Sequence, residues 1–291
     1  MPVRLGAHLS IAGGWHQLIA DAVSLGCETV QVFSRSPRGG KARPLGEAEV
    51  AVLREGLAGA TIAPLIVHTP YLVNIGAADE SRWEYAIQVL AEDLERAALL
   101  GAPWVVVHMG HARELSPEEG LRRCARALDR ARERAGEAGA GVTVLLENTA
   151  GGLGESVEGL AWVISHSEHP DGLGLCLDTC HAFAAGYDLR AAAGQEVFLG
   201  KVRELVRSER VKAWHFNDSA GACGSHLDRH QHLGEGQLGR EAFALLLGQQ
   251  EVRGRPVILE TPVKTPEGYR PDLAVLRELR DRAAGEAPAP A

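Results

Sequence analysis

Residues 175–181, Leu175-Cys176-Leu177-Asp178-Thr179-Cys180-His181, contain the pattern from which the fold can be predicted. The apolar or small residues from 173 to 177 predict a short buried strand, which ends on the carboxylate of Asp178. An imidazole, His181, follows three residues later, where a helix is expected to begin. Because a buried carboxylate is costly unless it is paired or bound to a cation, this strand end indicates a possible site.

Five other mainly apolar runs end in the same way, on an imidazole or a carboxylate. Their last residues are His68, His108, Glu147, His215 and Glu260. Apolar runs alternate with amphipathic segments along the whole chain, which is the βαβα pattern of a parallel sheet. Core packing alone does not account for six runs with the same ending.

Eight βα units are predicted from this alternation. The predicted strands are 3–8, 29–33, 65–68, 104–108, 142–147, 173–178, 211–216 and 257–260. The predicted helices are 15–24, 46–58, 81–100, 117–135, 157–166, 180–185, 191–208, 240–248 and 271–284. In the fourth helix Ser116 is the expected N-cap, Pro117 the first residue, and Gly136 the residue that ends it.

Eight such units predict an α/β fold with one (β/α)8 TIM barrel over residues 1–284, since a barrel of this kind typically needs about 250 residues. Residues 285–291 are expected to form a disordered tail. The alternative is a doubly wound open sheet, but no G-x-G-x-x-G turn follows the first strand.

Composition excludes some classes of protein. The formal charge of −8 argues against the broad basic surface of many nucleic-acid binders, although bound divalent cations would offset most of it. The five cysteines are odd in number and scattered, which favours reduced thiols. No apolar run is long enough for a membrane span and no secretory signal is present, so a cytoplasmic location is expected by default.

A metal site is the prediction that best explains the strand ends. In such barrels the C-terminal ends of the strands meet at one mouth, and His181 lies about one helical turn after Asp178. Asp228 and His230 face the same way if their segment is extended. The candidate ligands number nine: His68, His108, Glu147, Asp178, His181, His215, Asp228, His230 and Glu260. Nitrogen and oxygen donors suit zinc, with manganese or iron as alternatives, and one bridging carboxylate would allow two or three ions.

Simpler explanations exist for each residue taken alone. A single strand-end histidine is more often a hydrogen-bonded core residue, and a single glutamate at a barrel mouth is more often paired or solvated. Because the same ending occurs on six apolar runs, a metal site is favoured over these separate explanations. His8 also ends a strand and is a candidate for a contact behind the ligands or to phosphate, whereas His226 ranks below Asp228 and His230 as a ligand.

Several stretches, in order along nearly the whole chain, resemble the endonuclease IV family, the metal-dependent apurinic/apyrimidinic endonucleases (AP endonuclease family 2) of base-excision repair. The most specific are residues 177–188 and 228–236. The others are residues 6–10 with Gly13 and Gly14, His68 with residues 71–74, residues 146–151, residues 215–219, and residues 259–261.

The resemblance implies a TIM barrel that holds three zinc ions, with manganese possible in some positions. It assigns His68 and His108 to the first ion, Glu147 as the bridge to the second, Asp178, His215 and Glu260 to the second, and His181, Asp228 and His230 to the third. Glu147 is then the catalytic residue that positions a metal-bridging hydroxide.

The implied activity is that of a zinc-dependent deoxyribonuclease IV, a phosphoric diester hydrolase. It would cleave duplex DNA 5′ to an abasic site, leaving a 3′-hydroxyl and a 5′-deoxyribose phosphate, and would also remove 3′ blocking groups. The expected partner is duplex DNA with abasic sites or blocked 3′ ends, with no membrane partner. The resemblance further implies a monomer with nucleoid-associated activity.

The resemblance also implies residues that contact DNA. Tyr71 and Leu72 match a pair that intercalates at the abasic site, and Arg38 and Arg229 are further candidates. The loop around Arg38, Ser36-Pro37-Arg38-Gly39-Gly40, departs from the Asn-, Gln- and Trp-containing loop usual in the family. Arg35, Lys41 and Arg43 offer additional charge for phosphate, with a solvated loop as the alternative.

Two other functions compete with this hypothesis. The first is a sugar isomerase or epimerase of the related xylose-isomerase-like barrels, which use fewer metal ligands and a small closed pocket. The segment Asp228-Arg229-His230 and the pair Tyr71-Leu72 argue against it. The second is a non-catalytic barrel that serves as a DNA-binding scaffold, which predicts the loss of some ligand, yet all nine are present.

Overall fold

Eight parallel strands form a closed barrel in the computed structural model, which describes residues 3–285. The barrel strands are β1 Arg4–His8, β2 Thr29–Phe33, β3 Leu65–His68, β4 Trp104–His108, β5 Thr143–Glu147, β6 Leu173–Asp178, β7 Val211–His215 and β10 Pro256–Leu259. Their order around the barrel is β1-β10-β7-β6-β5-β4-β3-β2, and pairing of β1 with β10 closes it. Closure confirms the TIM barrel and excludes the open sheet.

Nine α-helices lie in the part of the chain that the structure describes. They are α1 Gly14–Leu25, α2 Glu47–Gly59, α3 Glu80–Leu100, α4 Pro117–Gly139, α5 Val157–His166, α6 Thr179–Ala184, α7 Ala192–Lys201, α8 Arg240–Leu247 and α9 Arg270–Gly285. The predicted start of α4 is confirmed, because the Ser116 hydroxyl accepts a hydrogen bond from Glu119 N at 3.2 Å and Pro117 follows it. No helix among residues 3–285 is long and apolar enough to cross a membrane.

Two sequence predictions are wrong in detail, and one short element was not predicted. Gly136 does not end α4: it interrupts the helix with a φ of 54°, and the chain then resumes a helical turn to Gly139. The predicted helix 191–208 is α7 followed by a π-helical segment, Val202–Val206. A short antiparallel pair, β8 Asp218–Ser219 and β9 His230–Gln231, was not predicted, because two-residue strands carry no periodic signal.

Two predicted limits differ from the structure by one residue. The last barrel strand ends at Leu259, so Glu260 directly follows β10 and does not end it. Helix α9 reaches Gly285, which was predicted as the first residue of the disordered tail. The rest of the predicted disordered tail, residues 286–291, lies outside the described residues.

The barrel interior explains why the strand ends converge. A separate inner cluster of buried side chains fills the barrel: Ile66, Val106, Leu145, Cys176, Ala213 and Ile258. Each of these residues lies two positions before one of the six strand-end candidates. Because side chains two apart along a strand point to the same face, the candidates continue the inner column toward the C-terminal mouth. A larger apolar layer packs the helices against the outside of the strands.

Candidate metal centre

Glu147 lies at the centre of the barrel mouth. Its carboxylate is fully buried, and Oε2 is 3.1 Å from His68 Nε2 and 2.8 Å from His108 Nε2. The other oxygen, Oε1, is 2.9 Å from His215 Nδ1. Strand register produces this arrangement, because His108 is the direct partner of Glu147 across β4 and β5. One carboxylate therefore contacts imidazoles on two sides, as a bridging ligand would.

A second group of donors shares Glu147. Asp178, His215 and Glu260 join it, and one ligand atom from each lies within 4.8 Å of the others. His215 Nδ1 is 3.2 Å from Glu260 Oε2 and 3.9 Å from Asp178 Oδ2. Asp178 and His215 are direct partners across β6 and β7. This group contains three carboxylates around one imidazole, a donor set with strong affinity for a divalent cation.

The remaining three candidates meet beside the second group. Asp228 Oδ1 lies 3.1 Å from His181 Nε2 and 3.5 Å from His230 Nε2, while His230 Nε2 is 3.8 Å from Asp178 Oδ2. Cys180 Sγ also lies within 4.8 Å of ligand atoms of Asp228 and His230. Burial raises the pKa of its thiol to about 12, which disfavours the thiolate.

Backbone carbonyls orient three of the imidazoles. The Nδ1 of His68 donates to Thr69 O at 2.7 Å, that of His181 to Asn148 O at 2.9 Å, and that of His230 to Glu260 O at 3.0 Å. In the neutral imidazole this hydrogen bonding keeps the proton on Nδ1, so Nε2, which faces the cluster, is the atom available to a metal. The buried Nε2 atoms of His181 and His230 lie near carboxylate oxygens but form no hydrogen bond with any described residue. Orphaned nitrogens beside carboxylates fit bound cations.

The electrostatics of the cluster also favour a cation. Burial alone would raise the pKa of Glu147, but His215 and His108 hold it well below its ordinary value. Burial alone would lower the pKa of His181, but Asp178, Asp228 and Glu147 hold it well above. Without metal these groups form buried ion pairs, and metal binding would release the imidazole protons.

Three amide side chains that the sequence did not single out support the ligands. Gln31 is fully buried, accepts a hydrogen bond from His215 Nε2 at 2.9 Å and donates to Glu260 Oε1 at 2.7 Å. Asn217 donates to Asp178 Oδ2 at 2.6 Å, and Asn148 donates to the carbonyl oxygen of Asp178 at 3.0 Å. For Gln31 a signal existed, because it is a polar residue inside an otherwise apolar predicted strand.

His8 lies next to the candidate ligands, whereas His226 lies away from them. The Nδ1 of His8 lies 3.0 Å from Glu260 Oε1, so His8 does sit behind a candidate ligand, and burial lowers its pKa. His226 instead contacts the carbonyl oxygen of Ala150 at 3.1 Å and the carboxylate of Glu155 at 3.4 Å. His226 is therefore outside the donor groups, in agreement with its lower rank.

The predicted DNA-contacting residues are exposed around the mouth. Tyr71 is 72% exposed and Leu72 61% exposed, so neither side chain is buried in the core. Arg38 and Arg229 are also exposed. A cavity of about 1360 Å³ opens beside Tyr71 and contains donors from all three groups.

The extra charge expected for phosphate is partly neutralised within the protein. Arg35 is buried and paired with Asp93 at 3.0 Å and Glu92 at 2.7 Å, so its predicted role in contacting phosphate is wrong. Its neighbour in the cavity wall, Arg43, pairs with Glu49 but is exposed. Lys41 also lines the cavity.

Comparison with known proteins agrees with this geometry. Residues 19–279 match the profile of a family described as xylose isomerase-like TIM barrel, which defines the general class. A probable endonuclease 4 of Methanoculleus marisnigri is 40% identical over 280 residues, which cover 95% of this chain and 99% of that protein. The crystal structure of endonuclease IV from Thermus thermophilus superposes with a TM-score of 0.83 at 38% identity, covering 96% of this chain and 99% of the other. The chain belongs to the endonuclease IV family.

Other solved structures match this chain at lower sequence identity. A D-tagatose 3-epimerase-like protein has a TM-score of 0.72 at 18% identity and covers 98% of this chain. At that identity the likeness shows the fold alone. The shared fold is the reason that a sugar epimerase is an alternative hypothesis, but a shared fold does not favour that function.

Proposed function

We propose that this protein is a zinc-dependent endonuclease that hydrolyses the phosphodiester bond 5′ to an abasic site in duplex DNA. The products would be a 3′-hydroxyl and a 5′-deoxyribose phosphate. The observation that carries the proposal is the meeting of nine nitrogen and oxygen donors in three adjoining groups at one barrel mouth. Membership of the endonuclease IV family and the exposed pair Tyr71 and Leu72 support it.

We assign the donors to three ions. His68 and His108 would hold the first, Glu147 would be shared between the first and the second, Asp178, His215 and Glu260 would complete the second, and His181, Asp228 and His230 would hold the third. Zinc fits the mixture of imidazoles and carboxylates, and manganese could replace it in some positions. Bound zinc supplies an activated water near neutral pH and offsets the negative charge of the phosphate.

The chain's own residues position the reaction. Glu147 contacts the donors of two groups, so its carboxylate would set the spacing of the two ions that these groups hold. Asn217 and Gln31 hold Asp178 and Glu260 in fixed orientations through their hydrogen bonds. No side chain forms a covalent intermediate in this scheme. The same centre would accept a phosphate at a blocked 3′ end, which gives 3′-phosphodiesterase and 3′-phosphatase activity.

Recognition of the abasic site is assigned to the rim. Tyr71 and Leu72 would enter the base stack where a base is missing, since apolar wedges commonly kink DNA at such positions and expose the nucleotide. Arg38 and Arg229 would contact phosphates. We assign these functions to a single domain, residues 1–284, that acts as a monomer.

Two measurements on the purified protein test the proposal. Elemental analysis should find about three zinc ions per chain, the number that nine ligands with one bridge accommodate. A nicking assay on a duplex with one abasic site should show cleavage that a strong chelator abolishes after long incubation. Cleavage that continues in the metal-free protein, or turnover of a ketose without any nicking, would contradict the proposed function.

A further inference from the structure

Residues 217–219 and 233–236, which are parts of two stretches of the resemblance, include no candidate ligand, yet the structure joins them. Asp218 is fully buried, and its carboxylate accepts four backbone hydrogen bonds from one loop. The donors are Leu238 N at 2.8 Å, Gly234 N at 2.9 Å, Gly236 N at 3.1 Å and Gly239 N at 3.2 Å. Amides that converge on a carboxylate form strong, charge-assisted hydrogen bonds. Asp218 therefore fixes the backbone conformation of residues 233–239.

A glycine is required where the loop passes the carboxylate. A Cβ at Gly236 would lie 2.4 Å from Asp218 Oδ1 and 2.5 Å from the carbonyl oxygen of Ser219. No side chain fits at that distance, so the close approach of loop and carboxylate depends on Gly236. The glycine and the aspartate are two parts of one clamp, which we call the Asp218 clamp: the Asp218 carboxylate with the backbone of residues 233–239.

The Asp218 clamp encloses the segment that carries two candidate ligands. Residues 220–232, with Asp228 and His230, run between its two halves. Pairing of β8 with β9 places Ser219 opposite His230 and Asp218 opposite Gln231. The carbonyl oxygen of Arg229 accepts a hydrogen bond from Ala220 N at 3.0 Å. The backbone on both sides of His230 is thus fixed against the residues next to Asp218.

A second buried carboxylate holds the exit of the same segment. Asp272 on α9 lies 2.8 Å from His232 Nδ1 through Oδ2 and accepts a hydrogen bond from Leu233 N at 3.0 Å through Oδ1. The hydroxyl of Thr261, next to Glu260, donates to the same carboxylate at 2.6 Å. His232 therefore helps to fix the end of the segment.

Asp228 and His230 need such support more than the other candidate ligands do. Six of the others end or directly follow barrel strands, and His181 lies on α6 directly after β6. The side chain of Asp228, by contrast, is 56% exposed. We propose that Asp218 is a positioning residue for the third ion: its clamp holds Asp228 and His230 where they can bind metal. The inference rests on the proposed three-ion centre.

The substitution Asp218→Asn tests this inference with little change in side-chain volume. One acceptor oxygen becomes an amide NH₂ that faces backbone N–H groups, so the clamp loses hydrogen bonds. The third zinc should then bind about 10- to 100-fold more weakly, the usual effect of removing a group that supports a metal ligand. The first and second zinc ions should bind as in the unchanged protein.

Asp129→Asn is the matched control. Asp129 is also a buried carboxylate that holds a loop, through Ser167 Oγ at 2.5 Å and Glu168 N at 3.1 Å. It lies on α4 and contacts the connection between α5 and β6, at the end of the barrel opposite the donors. Its loss should lower the melting temperature without changing zinc binding.

The experiment measures zinc content after gel filtration, zinc affinity by competition with a chromophoric chelator, and melting temperature for all three proteins. We expect three zinc ions in the unchanged protein and in Asp129→Asn, and two in Asp218→Asn. Added zinc should restore nicking by Asp218→Asn. The inference is overturned if Asp218→Asn keeps three tightly bound zinc ions, or if Asp129→Asn loses zinc equally. Fewer than three ions in the unchanged protein would contradict the three-ion centre itself.

Discussion

The strand-end ligands and the loop-borne ligands of the candidate centre are held in different ways. Ligands such as His108 and Glu147 lie at the ends of adjacent barrel strands, and the hydrogen-bonded ladder fixes their spacing. Asp228 and His230 lie on the long connection between β7 and α8, which is held by side-chain carboxylates that accept backbone hydrogen bonds. The barrel therefore positions one set of donors, which we call the strand-held half of the site. Local loop contacts position Asp228 and His230, which we call the loop-held half.

Glu147→Gln should have the largest effect on nicking, because it changes the carboxylate that two donor groups of the strand-held half share. The amide keeps the shape of the side chain but loses the negative charge that two donor groups share. Nicking should fall on the order of 10³-fold, as when one preorganised group is removed from an active site. Single-turnover nicking measures the loss, and circular dichroism checks the fold. Glu155→Gln, outside the donor groups, is the control and should retain activity. Full activity in Glu147→Gln would refute the bridging role.

Asp228→Asn tests the loop-held half and should have a smaller effect. It should remove only the third zinc, and nicking should fall about 100-fold, since one Lewis acid contributes several kcal/mol to stabilising the transition state. Zinc analysis should find two ions per chain. If all three ions were lost together, the two halves would not be independent and the comparison would fail.

Tyr71→Ala separates recognition from chemistry. Tyr71 is exposed and stands 5.1 Å from the ring of Phe33, so its removal leaves the donors in place. Binding to an abasic duplex should weaken by about 1–3 kcal/mol, the usual contribution of one stacked base. Removal of a 3′ phosphate from a DNA end should change little. Leu99→Ala, another exposed apolar residue, is the control. A loss of turnover without a loss of binding would contradict the wedge assignment.

Arg38→Ala should have the smallest effect. Arg38 is exposed on a loop whose backbone is tied by Gly40 N to the Tyr85 hydroxyl at 3.3 Å. Loss of one phosphate contact should weaken DNA binding a few-fold, and equally on abasic and intact duplexes. The slope of the logarithm of the binding constant against the logarithm of the salt concentration should decrease by about one. Fluorescence anisotropy at several salt concentrations measures both. A loss confined to abasic duplex would instead indicate that Arg38 enters the gap.

The sequence predicts the strand-held half because its signal is periodic. Ile66 and His68, or Leu145 and Glu147, lie two apart on one strand, so one rule places both the core residue and the ligand. The clamp has no such signal: Asp218 meets Gly236 only because the chain returns across the barrel mouth. Arg35 shows the same limit, since its partner Asp93 lies on another element and turns a predicted phosphate contact into a buried ion pair.

Anomalous diffraction at the zinc edge, from crystals grown in zinc-replete solution, tests the central claim most directly. We expect three anomalous peaks at the C-terminal mouth of the barrel. Glu147 should contact two of them, and Asp228 and His230 should contact the third. A mouth without anomalous peaks, or ions bound only elsewhere on the protein, would contradict the three-ion centre.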